Sequence, residues 1–163
     1  MSINIPLLKE ICETPGAPGR EFRIRRVVER EIDSLVDNFH TDNLGNLITF
    51  KKGRTDKKVM IAAHMDEISF IVKHVDEDGF ARVHPLGGFD PKTLTAQRVI
   101  VHGKEDVIGV MGSKPIHIMK PEERKIAPKI EDYFIDFGMP SKQVHALVSV
   151  GDVVTRERDL IEI

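Results

Sequence analysis

Val59-Met60-Ile61-Ala62-Ala63-His64-Met65-Asp66-Glu67-Ile68 is the stretch on which the reading of this chain turns. Five apolar residues run directly into a histidine, an aspartate and a glutamate. That is the pattern of a strand buried on both faces of a parallel sheet, delivering polar groups at its end. Open α/β sheets gather ligands outside the carboxyl ends of their strands, so the polar cluster falls where sites are built. Residues two apart on an extended chain point the same way. Asp66 can therefore stand beside His64 and hold its ring, as a metal-bound imidazole requires. On that pattern His64 is a metal ligand and Asp66 its orienting partner.

The spacing alone is not distinctive, because His-x-Asp occurs at His40, His64 and His74. His40 precedes Asn43-Leu44-Gly45-Asn46 and His74 precedes Asp76-Glu77-Asp78-Gly79. Both followers are turn formers whose Asn, Asp and Gly tolerate left-handed backbone. Only His64 ends an uninterrupted apolar run. A second reading of the same residues stands beside the first: a histidine that closes a core strand with its ring hydrogen-bonded.

Working outward, 163 residues suffice for one ordinary domain with a real core or for two small ones. Hydrophobic residues at 40% and charged residues at 31% place the chain in the soluble globular class. A formal charge of -2 gives no long-range pull toward nucleic acid or an anionic membrane, and neither is expected as a partner. Cys12 is the single cysteine, which rules out an internal disulfide and a thiolate zinc cluster. The opening Met1-Ser2-Ile3-Asn4-Ile5-Pro6 reads as neither signal peptide nor membrane span, so a cytoplasmic location is expected.

Asn4 predicts the cap of a first helix with Leu7, Leu8 and Ile11 on one face, stopped by Thr14-Pro15-Gly16. After Ala17-Pro18-Gly19 a longer helix carries a stripe of Ile24, Val27, Val28, Ile32 and Leu35. Its arginines, interleaved with Glu21, Glu29 and Glu31, read as a solvated face and not a nucleic-acid patch. Strands over Phe39–Asp42 and Leu47–Lys52 flank the turn at Asn43-Leu44-Gly45-Asn46. Up to Ile68 the elements are those of an opening α/β sheet, too few to cover both of its faces. From Ser69 the pattern changes to short alternating runs at Ser69–Val75, Phe80–His84, Arg98–His102 and Val107–Met111, divided by turn clusters. This predicts a barrel-like all-β unit, completed by a helical turn after Pro121, a strand at Tyr133–Phe137, a helix at Pro140–Leu147 and a strand at Asp152–Thr155.

Other chemical groups read as structure. His84, His102 and His117 lie in or near strands without ligand spacing, and His145 sits on a short helix. Glu122-Glu123 follows Pro121 at a helix start, where negative charge suits the dipole. Asp76-x-Asp78-Gly79 lacks the length and final glutamate of a calcium loop. Gly109-Val110-Met111-Gly112-Ser113-Lys114 lacks phosphate-loop spacing and lies on a strand pattern. A carbohydrate hydrolase would need two carboxylates flanking a cleft, and no such pair can be placed.

Several blocks, in order, resemble one known family. They are Ala17-Pro18-Gly19-Arg20-Glu21, Asp42-Asn43-Leu44-Gly45-Asn46-Leu47, Ala62-Ala63-His64-Met65-Asp66-Glu67-Ile68 and Gly87-Gly88-Phe89-Asp90-Pro91. Gln97-Arg98-Val99, Lys129-Ile130-Glu131-Asp132, Ile135-Asp136-Phe137-Gly138 and Val150-Gly151-Asp152-Val153-Val154 continue the series. Together they are similar to the amino-terminal part of the tetrahedral aminopeptidases, the cytosolic dinuclear-metal exopeptidases that include the deblocking and glutamyl aminopeptidases. The resemblance implies that His64 is a ligand to one of two divalent ions, zinc or cobalt, and that Asp66 is the catalytic-site residue orienting it. It implies a fold of α/β plus all-β class. Residues 1–68 would be the first segment of a three-layer α/β peptidase domain, 69–155 an inserted PDZ-like β-barrel dimerisation domain, and 156–163 the return toward a second catalytic segment. It further implies a peptide substrate for the complete enzyme and homo-oligomers paired through the barrel.

The chain departs from the family pattern in one decisive respect. The bridging aspartate, the glutamate pair with the general base, a further carboxylate and the last histidine come after the barrel in the family. Two metals held close together need several anionic ligands, and His64 alone supplies one neutral nitrogen. The expectation is that this chain by itself binds metal weakly or not at all and hydrolyses nothing. The alternative is a non-catalytic fragment acting as an oligomerisation module.

Overall fold

The computed structural model describes residues 3–162, which fall into two compact units: residues 3–67 with 159–162, and Ile68–Arg158.

In the first unit, α1 (Ile5–Glu13) starts where the Asn4 side chain accepts the Leu7 amide at 3.2 Å and Pro6 occupies the first turn. It ends at Thr14, whose hydroxyl donates to the Glu10 carbonyl at 2.6 Å. No residue of α1 is fully buried, and the predicted stripe is half open: Leu8 and Ile11 remain exposed. α2 (Phe22–Ile32) buries Ile24 and Val27, with Ala17 from the preceding turn. It stops three residues short of Leu35, which lies outside the helix and is exposed, contrary to the stripe expected from sequence. On the surface, Arg30 grips both oxygens of Glu10 at 2.8 and 2.6 Å, joining the two helices by a fork that water largely screens.

A hairpin of β1 (Asn38–Thr41) and β2 (Leu47–Phe50) follows, antiparallel, with Asn38 opposite Phe50 and Thr41 opposite Leu47. Its loop is organised by Asp42, which accepts the Leu44 and Asn46 amides at 2.9 Å each and the Asn46 side-chain amide at 2.9 Å. Gly45 takes the left-handed backbone (φ 88°) the turn requires.

The buried strand expected at residues 59–63 is not formed. These residues belong to no strand, and Val59, Met60 and Ile61 are 85%, 90% and 92% exposed. The physical reason is the neighbourhood. A strand of a parallel sheet takes its ladder and both covering faces from other elements. In this unit the two strands present, β1 and β2, pair only with each other.

The second unit is a closed antiparallel barrel of six strands in the order β3-β4-β7-β6-β5-β8. The strands are β3 (Ser69–Val75), β4 (Ala81–Leu86), β5 (Arg98–His102), β6 (Asp106–Gly112), β7 (Phe134–Asp136) and β8 (Val153–Arg156). Closure leaves no strand edge to protect. Alternation decides what points inward. Val107 and Met111 of β6 are buried while Ile108 and Val110 face out, and Val99 and Val101 of β5 are buried beside them. Phe70, Val72, Ala81, Val83, Ile135 and Val154 complete the inner layer, and α3 (Ser141–Leu147) adds Val144 to the same core. Tyr133 is buried and anchored, its hydroxyl donating to the Pro91 carbonyl at 2.7 Å. Among the described residues no helix is long and apolar enough to cross a membrane.

Candidate metal-ligand site

The segment carrying His64 is seated by the turn that follows α1. The Glu67 amide donates to the Gly16 carbonyl at 2.8 Å, and the Gly16 amide returns a bond to Glu67 Oε1 at 3.4 Å. Gly16 is required there: a Cβ would stand 2.8 Å from Ile24 Cγ2 and 3.2 Å from the Met65 carbonyl. Residue 67 is thus clamped to the buried Gly16, in the turn between α1 and α2, by two hydrogen bonds. Sequence reasoning assigned no role to Glu67. The signal was available, since a glycine directly after Thr14-Pro15 marks close backbone approach.

Three residues before the clamp, His64 Nδ1 lies 3.1 Å from Asp66 Oδ1 and 3.0 Å from the Asp66 carbonyl oxygen. Both partners are acceptors, so Nδ1 is the donating nitrogen and Nε2 is turned away from Asp66. The side chain is 85% exposed, so that nitrogen is open to solvent and not packed among aliphatic residues. The arrangement is an imidazole oriented through Nδ1 by a carboxylate, with Nε2 left to solvent.

A dinuclear centre is a larger demand. Among the described residues no group of three or more His, Cys, Asp or Glu side chains is placed to hold a metal ion. His64 and Asp66 fit one coordination position with its orienting partner; they do not fit a two-metal site, which needs several anionic ligands.

The remaining groups have structural roles. His102 is held at both ring nitrogens, by Asp106 at 2.8 Å and by Thr155 at 2.9 Å, tying the β5–β6 turn to β8. His145 Nε2 meets the Asp76 carbonyl at 3.0 Å. Asp76 accepts the Asp78 and Phe80 amides at 3.1 and 2.8 Å, which makes it a turn carboxylate. Glu123 accepts Lys114 Nζ at 2.9 and 2.8 Å and the Lys120 amide at 2.7 Å. Those bonds, the Lys114 ones foremost, lower its pKa below the usual glutamate value. The glycines of Gly109–Lys114 are packing glycines: a Cβ at Gly109 would overlap Ile135 Cγ2, and one at Gly112 would stand 2.6 Å from the Phe134 ring.

Compared with known proteins, residues 45–163 match the family described as M42 glutamyl aminopeptidase, and the chain belongs to that family. It is 39% identical to the lysyl aminopeptidase of Pyrococcus furiosus over 86% of its own length and 41% of that protein's. Its fold is similar to that of a TET aminopeptidase from the marine sediment archaeon Thaumarchaeota archaeon SCGC AB-539-E09. The TM-score is 0.91 with 31% identity, over 98% of this chain and 45% of that one. It is likewise similar to the Pyrococcus horikoshii TET1 peptidase, described as assembling into a tetrahedron or a large octahedral shell. There the TM-score is 0.81 with 32% identity, over 94% of this chain and 46% of that one. The chain therefore spans less than half the length of these relatives.

Proposed function

We propose that this chain is the amino-terminal segment of a metal-dependent aminopeptidase, with His64 ligating one of two divalent ions, zinc or cobalt, and Asp66 fixing its tautomer. The observation that carries the reading is the 3.1 Å contact between His64 Nδ1 and Asp66 Oδ1 on a ring otherwise open to solvent. Residues 1–68 supply the first part of the peptidase domain, 69–155 a PDZ-like dimerisation barrel, and 156–163 the return to the catalytic part. The Leu160 amide, bonded to Glu13 Oε1 at 2.8 Å, supports that return. The complete enzyme acts on peptide amino termini in the cytoplasm as a homo-oligomer, a reading supported by the shells that the horikoshii relative forms.

A pair of divalent ions in such an enzyme supplies Lewis-acid polarisation of the scissile carbonyl. This chain contributes one nitrogen and one orienting carboxylate, so no catalytic step is assigned to it. The 163-residue chain alone turns over no aminoacyl substrate and acts as an oligomerisation module. The test is a cobalt titration followed by optical absorption, with an aminoacyl-anilide assay on the same samples. The expected result is weak binding that His64→Ala abolishes, and no turnover. Cobalt affinity unchanged by His64→Ala would overturn the ligand assignment, and turnover by the purified chain would overturn the inactivity.

A further inference from the structure

Glu67 takes hold of both backbone groups of a single distant residue. Its amide donates to the Gly16 carbonyl at 2.8 Å, and its Oε1 accepts the Gly16 amide at 3.4 Å. One hydrogen bond leaves rotation about its axis, whereas two to the same residue fix direction as well as position. The attachment point is itself held. Gly16 is buried, and Ile24 of α2, 3% exposed, lies so near that a Cβ on Gly16 would stand 2.8 Å from its Cγ2. The Met65 carbonyl covers the same spot, 3.2 Å from that Cβ position.

Successive side chains of an extended segment point to opposite sides. The contacts on either side of the Asp66–Glu67 peptide follow that rule. The Asp66 carboxylate meets the His64 ring at 3.1 Å, and the Glu67 carboxylate meets Gly16. One side of the segment therefore carries the ring and the group that orients it, and the other carries the attachment to the turn after α1.

We infer that Glu67 is the positioning residue of the His64 site, fixing through Gly16 where the His64–Asp66 pair stands. The inference rests on the reading of His64 as a metal ligand. Asp66 sets which way the ring turns, and Glu67 sets where the ring is. The lever between them is short, because three residues span at most about 10 Å, so a displacement at Glu67 is passed on to the ring. A ligand keeps its geometry only when the residues that support it are locked in turn. Three substitutions separate this role from that of a ligand. Gln keeps an oxygen that can accept the Gly16 amide but carries no charge. Asp keeps the charge but is one methylene shorter, and a bond already at 3.4 Å has no slack to give. Ala keeps neither.

The test uses the 163-residue chain. Backbone amide relaxation should give order parameters of about 0.85 at Met65 and Asp66, as for rigid backbone, falling below about 0.6 in Glu67→Ala and Glu67→Asp. Glu67→Gln should retain the wild-type values. The Ile24 and Val27 amides report whether α2 is intact, and they should not move. Where Glu67→Ala loosens α2 as well, the comparison of Glu67→Gln with Glu67→Asp decides. Cobalt affinity, followed by optical absorption, should fall about ten-fold in Glu67→Ala and stay at the wild-type value in Glu67→Gln. Order at Met65 and Asp66 that no Glu67 substitution changes would overturn the inference. So would a Glu67→Gln chain that stays ordered yet loses cobalt as Glu67→Ala does, because that behaviour marks Glu67 as a ligand. Order lost in Glu67→Ala, with a cobalt affinity that neither it nor His64→Ala changes, would overturn the ligand reading and the positioning role with it. The order parameters keep that failure apart from failure of the anchor.

Discussion

Gly109→Ala tests whether the glycines of the Gly109–Lys114 segment serve packing. Gly109 lies on β6 beside β7, and an added Cβ would overlap Ile135 Cγ2, with the Asp136 carbonyl and Phe137 Cδ1 each at 3.2 Å. Ile135 is fully buried and cannot swing aside. Overpacking a closed core costs about 1–3 kcal/mol. Loss of glycine freedom in the unfolded chain offsets roughly 0.4–1 kcal/mol of this where the backbone suits alanine. The net expectation is a destabilisation of about 1–2 kcal/mol, at about 4–8 °C of Tm per kcal/mol for a unit of this size. Gly88→Ala is the control, because no heavy atom lies within 4 Å of its Cβ. It should be neutral or slightly stabilising. The assay is built into the molecule: Tyr133 is the single tyrosine, there is no tryptophan, and Tyr133 is buried in the barrel. Intrinsic fluorescence during urea unfolding therefore follows the barrel alone. If Gly109→Ala unfolds at the same urea concentration as Gly88→Ala, the contact with Ile135 does not explain the glycine.

Tyr133→Phe removes the donor to the Pro91 carbonyl and the partner of the Thr95 hydroxyl, at 2.7 and 3.1 Å. Leaving both groups short of a bond in a part-buried site should cost about 1–2 kcal/mol, read by circular dichroism on heating; an unchanged Tm would refute it. The bonds that Asp42 accepts, first from the Asn46 side chain and then from the Asn46 and Leu44 amides, lower its pKa below the ordinary aspartate value. Because the folded value is the lower one, the loop is fully supported above the unfolded value and loosens as pH falls through the folded value. Amide shifts of Leu44 and Asn46 should move together only in that acid range and stay flat in Asp42→Asn. Movement at the ordinary aspartate value would show that the bonds do not matter.

The barrel was legible because every strand's partner lies inside the chain. Period-two alternation placed Val99, Val101, Val107 and Met111 inward, and turn clusters divided the runs. Its irregularities were harder to read. The register shift between Val72 and His74 arises where Lys73 and His74, two polar residues in succession, break the alternation. β4 runs on through Pro85 to Leu86, two residues past the run read from the sequence. Proline lacks only the donor, and Pro85 still lies opposite Phe70 in the register.

The first unit shows the opposite case. Val59–Ala63 has the composition of a buried strand, and that reading concerned what the residues favour, whereas a strand also requires something to pair with. The same distinction governs the site. The relation of His64 to Asp66 is local, two residues along one chain, and was legible; among the described residues no group of three or more His, Cys, Asp or Glu side chains gathers to hold a metal. Gly16 and Glu67 lie between these cases, fifty-one positions apart yet joined by two hydrogen bonds. That clamp holds the His64 end of the segment to the buried turn after α1, while residues 59–63 belong to no strand among the described residues.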